Sequence, residues 1–167
     1  YALPVPFGTP PGEYRLVAAM YDAQTGQRLT HASGDSVELG SVWVDRPQTS
    51  VSPSLVPMAR RLDRQLGPVI LAGYDAYRKD FAHAPETPLQ PGDTAHFVLY
   101  WQAPDPLPPD WPQDLAVTLR LGDQTVTAPL AGAGYPTDKW TGGEIVRGQY
   151  DIPYDGTGTR AQVEVAR

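Results

Sequence analysis

Apolar and polar residues alternate along much of this chain. From Thr94 to Gln102, Ala95, Phe97, Leu99 and Trp101 fall on one face of an extended segment, and Thr94, His96, Val98, Tyr100 and Gln102 on the other. A side-chain period of two marks a half-buried strand, so the first set is expected to point into a core anchored by Trp101. Leu115, Val117, Leu119 and Leu121 repeat the pattern, as do Leu16, Ala18 and Met20. Between Val37 and Val44 the phase slips: Val37 and Leu39 are odd-numbered, Val42 and Val44 even. That predicts a β-bulge at Gly40 and Ser41 and turns Trp43 outward. Further strands are expected from Val69 to Tyr74, Thr125 to Ala128, Glu144 to Ile152 and Arg160 to Ala166. Turn residues separate them, notably Pro91-Gly92-Asp93 and Gly122-Asp123. Only Val56 to Leu66 lacks strand character; Met58 to Asp63 is expected to wind at most a single helical turn.

The beginning of the chain is echoed at its end. Tyr1, Leu3 and Pro4 precede a Pro/Gly turn and the strand-like run Tyr14 to Met20; roughly 150 positions later, Tyr150, Ile152 and Pro153 precede a Gly-rich turn and Ala161 to Val165. A repeat of that length is one β-domain. Residues 1–47 are therefore read as the closing strands of a preceding sandwich repeat, able to pack onto the next module, 48–65 as a linker, and 66–167 as a β-sandwich module. Many short strands without an amphipathic helix point to an all-β fold, an immunoglobulin/fibronectin-III-like antiparallel β-sandwich. A chain that opens on Tyr1 inside a repeat is expected to be a piece of something larger. The second module has nothing to match the closing strand Val37 to Val44. That strand is expected to fill the vacancy itself, beside Val163 and Val165, because an open edge invites pairing.

Composition removes several classes. With 19 prolines and 16 glycines spread between apolar runs, the chain reads as turn-rich, not disordered. It has no cysteine, so neither disulfides nor thiolate metal sites are available. A formal charge of −6 opposes nucleic-acid binding, and the one local basic cluster, Arg60, Arg61 and Arg64, reads as a solvated segment. No apolar run approaches the ~20 residues that span a bilayer.

Several pieces carry a family resemblance when taken in order: Leu66-Gly67-Pro68-Val69-Ile70-Leu71-Ala72-Gly73-Tyr74-Asp75, Pro91-Gly92-Asp93-Thr94, Leu99-Tyr100-Trp101-Gln102-Ala103, Tyr135-Pro136-Thr137-Asp138-Lys139-Trp140, Gly143-Glu144-Ile145-Val146 and Pro10-Pro11-Gly12-Glu13-Tyr14-Arg15-Leu16. Together they resemble the extracytoplasmic β-sandwich repeats at the C-terminal ends of large bacterial multi-pass membrane proteins of the protein-mannosyltransferase-like glycosyltransferase type. After Tyr150 the chain departs from that pattern, with Asp155-Gly156-Thr157-Gly158-Thr159 in place of a Pro-rich turn. The resemblance implies a non-catalytic accessory or spacer module, extracytoplasmic and tethered to the membrane through the parent protein. It brings no catalytic residue, since the chemistry of such enzymes belongs to the membrane-embedded portion.

The residues themselves carry no recognisable catalytic pattern. His31, His83 and His96 are isolated, without a His-Glu-x-x-His spacing, and no metal site or cofactor is expected. Ser36 and Ser41 lie in no Gly-x-Ser-x-Gly elbow. Glycoside hydrolysis needs two carboxylates at fixed separation; the candidates are Asp105, Asp110, Asp114, Asp138 and Glu144, and each fits a turn or strand edge. The alternative function is a carbohydrate-binding module. Trp111, Tyr135 and Trp140 fall at loop positions where rings either tuck under the loop or stack on sugars, the partner then being a glycan or another cell-envelope component.

Overall fold

The computed structural model describes residues 2–22, 27–32 and 34–166; the repeat residue Tyr1 lies outside them. The described residues form nine strands and two short 3-10 turns. They divide into two compact units, Pro11–Arg46 on its own and Tyr1–Pro10 together with Pro47–Arg167.

The smaller unit is a two-stranded antiparallel sheet of β1 (Gly12–Ala18) and β2 (Val37–Val44). Opposed pairs Tyr14 with Val42 and Leu16 with Gly40 lie on one face. The other face carries Trp43 and Val17 among polar groups: Ser41 Oγ donates to Glu13 at 2.7 Å and Arg15 pairs with Glu38 at 3.6 Å. The expected bulge is present one residue earlier than the pattern indicated. Leu39 is the residue without a partner, beside Gly40 at φ 131°. Trp43 faces out and is 68% exposed. β2 pairs with β1 and not with β9 (Ala161–Ala166). The expectation that Val37–Val44 closes the second module is thereby corrected: hairpin neighbours in sequence pair first, because closing a short loop costs less entropy than a long one.

The larger unit is an antiparallel all-β sandwich. One sheet has the order β3 (Arg60–Leu66), β4 (Val69–Arg78), β5 (Thr94–Gln102), β8 (Ile145–Pro153); the other has the order β7 (Gln124–Pro129), β6 (Ala116–Leu121), β9. Alternation decides which side of each strand is buried. Ala95, Phe97, Leu99 and Trp101 of β5 pack against Val117, Leu119 and Leu121 of β6 in one core. Trp101 is fully buried, as its place in the pattern requires. Its indole Nε1 donates to Tyr150 Oη at 3.3 Å, and that hydroxyl donates to the Leu130 carbonyl at 2.6 Å. Burial pushes the Tyr150 phenol well above its ordinary range, and the Trp101 donor only partly opposes this, so the hydroxyl remains neutral. Gly148, also on β8, makes room for this arrangement, since a Cβ there would run into Leu130 O and Tyr150 Oη.

Two elements differ from their sequence pattern. Arg60 to Leu66 forms edge strand β3 in place of linker or helical turn, hairpinned onto β4 through Gly67 at φ 58°. The preceding segment is also packed: Val56 is 1% exposed, and with Val51 and Met58 it covers Ala72, Val98, Tyr100 and Ile145 on the outer side of the four-stranded sheet. The second face of β5 is therefore covered as well. Arg61 secures the strap by donating to the carbonyls of Pro53, Ser54 and Val56.

Two substitutions test this core by urea denaturation. Trp101→Ala is expected to cost about 3–5 kcal/mol, from lost packing and from the loss of the donor whose hydrogen bond Tyr150 Oη accepts. Gly148→Ala, which removes nothing, is expected to cost about 1–3 kcal/mol by overpacking. An unchanged midpoint for Gly148→Ala would mean that β8 does not approach Leu130 as described.

Candidate functional site

Two places stand out: the aromatic loops where β5 ends and β8 begins, and the open side of the sandwich beside β9. At the first, Tyr135 and Trp140 are 4% and 3% exposed and belong to the core. Tyr135 Oη donates to Glu144 Oε1 at 2.8 Å, and Glu144 Oε2 accepts from Thr141 N at 2.8 Å and Thr141 Oγ1 at 3.0 Å. Trp140 Nε1 donates to the Tyr135 carbonyl at 3.3 Å. Trp111 is half-buried; its Nε1 donates to the Thr137 carbonyl at 2.7 Å, and its ring lies 6.5 Å from that of Trp140, tilted by 43°. Thr137, on the 3-10 turn Thr137–Lys139, is itself buried and donates to the Pro112 carbonyl at 2.9 Å. The three rings are brought together, but as a plug. Tyr135 and Trp140 present no open ring face for a sugar, which corrects their reading as ligand contacts; only Trp111 keeps part of its surface in solvent.

The candidate carboxylates do not converge into a dyad. Glu144 is occupied by Tyr135 and Thr141, while Asp105, Asp110, Asp114 and Asp138 are exposed. Among the described residues no group of three or more His, Asp or Glu is arranged to hold a metal. His31 Nε2 lies 3.3 Å from the Ser36 carbonyl, and His83 stacks on Phe81 with centroids 5.7 Å apart. His96 does have a carboxylate partner that its sequence neighbours do not reveal. It sits directly opposite Asp151 in the β5–β8 pairing, with Nδ1 at 2.7 Å from Asp151 Oδ1, and Lys79 Nζ is 2.7 Å from Oδ2. Burial raises the Asp151 pKa, but the hydrogen bonds from Lys79 and His96 outweigh it and hold the carboxyl below its ordinary 3.8.

The second place is a cleft that no sequence motif announces. The four-stranded sheet overreaches the three-stranded one by a strand, and since β7 and β8 meet on one side, the mismatch appears on the other, between β3 and β9. There the sandwich is open. An apolar cleft of about 620 Å³ is lined by Leu62 of β3, Leu71 and Tyr74 of β4, Leu121 of β6, and Arg160 and Val163 at β9. Its chemistry is that of an unfilled core layer, with Arg160 at the rim, and it suits apolar side chains better than a polar substrate. No family model, curated protein or solved structure matches the chain.

Two measurements probe these sites. Glu144→Ala is expected to destabilise by about 1.5–3 kcal/mol, because Tyr135 Oη and Thr141 N would lose a charged acceptor; unfolding in urea reads this directly. For Asp151, a depressed native pKa gives stability that is present above the unfolded value and lost as pH falls through the native one. The half-exposed site limits this to ~0.2–1 kcal/mol. The gap in unfolding free energy between the natural chain and Asp151→Asn should therefore be present at neutral pH and close below about pH 4.

Proposed function

We propose that this chain is a non-catalytic spacer or accessory module, extracytoplasmic and held to the membrane through a glycosyltransferase-like parent protein. One observation carries the reading: the residues best suited to ligand chemistry, Tyr135, Trp140 and Glu144, are spent on one another in a buried plug that stiffens the end of the sandwich. A spacer needs rigid ends, because a floppy one would transmit no defined distance between neighbours. The strand order also supports a fibronectin-III-like assignment. Strands β4, β5 and β8 facing β7, β6 and β9 follow the order in which such a sandwich lays down its first six strands, with β3 as an addition.

Affinity electrophoresis and glycan arrays test this against a carbohydrate-binding role. The expected outcome is no retardation for either the natural chain or Trp111→Ala. Glycan binding that disappears in a folded Trp111→Ala variant would replace the spacer reading with sugar recognition through the half-buried indole.

A further inference from the structure

We draw no further inference here: the strongest candidate, the apolar cleft between β3 and β9 with Arg160 at its rim, opens beside the last strand, Ala161–Ala166, and nothing in the structure shows what covers it.

Discussion

The sandwich depends on a relay of two hydrogen bonds in its driest layer. Trp101 Nε1 donates to Tyr150 Oη, which donates to the Leu130 carbonyl, so β5 and β8 of one sheet are tied to the segment leaving β7 of the other. Each group would be costly to bury alone. Together they satisfy one another and fix the registration of the two sheets, which apolar contacts, being non-directional, cannot do. Gly148 belongs to the same device, because any side chain at that position would displace the carbonyl that terminates the relay.

The aromatic end of the sandwich follows from the same economy of polar groups. Glu144 is 8% exposed, and a carboxylate at that depth needs donors. Tyr135 and Thr141 provide them, and the loops that carry these donors must then fold down over the core. Trp140 and Trp111 fill the space beneath, each surrendering its indole N–H to a backbone carbonyl. The result is a closed end whose polar atoms point at one another.

Strands whose two faces differ in polarity were legible in the sequence, even where, as in β5, both faces are buried. The alternation through Ala95, Phe97, Leu99 and Trp101 identified both the strand and its buried side, and the phase slip near Gly40 announced the bulge. β3 was hidden because Arg60, Arg61, Asp63 and Arg64 mask any period of two; its strand state comes from pairing with β4, and the Leu66-Gly67-Pro68 turn was the only local sign of that hairpin. The His96–Asp151 contact was invisible because 55 residues separate the partners and only strand register brings them together. For Tyr135 and Trp140, loop position said nothing about direction. The signal that could have decided it was Glu144, a carboxylate at the start of an apolar strand that had to find donors nearby. The cleft had no motif, since it arises from a count of strands.

The same strand count decides where apolar surface is left over. A four-stranded sheet facing three leaves one layer of apolar side chains without a cover, at the cleft between β3 and β9. Burying that layer would release water from apolar surface. Edges that must stay single acquire charges, bulges, prolines or covers, as β3, β7 and β8 have.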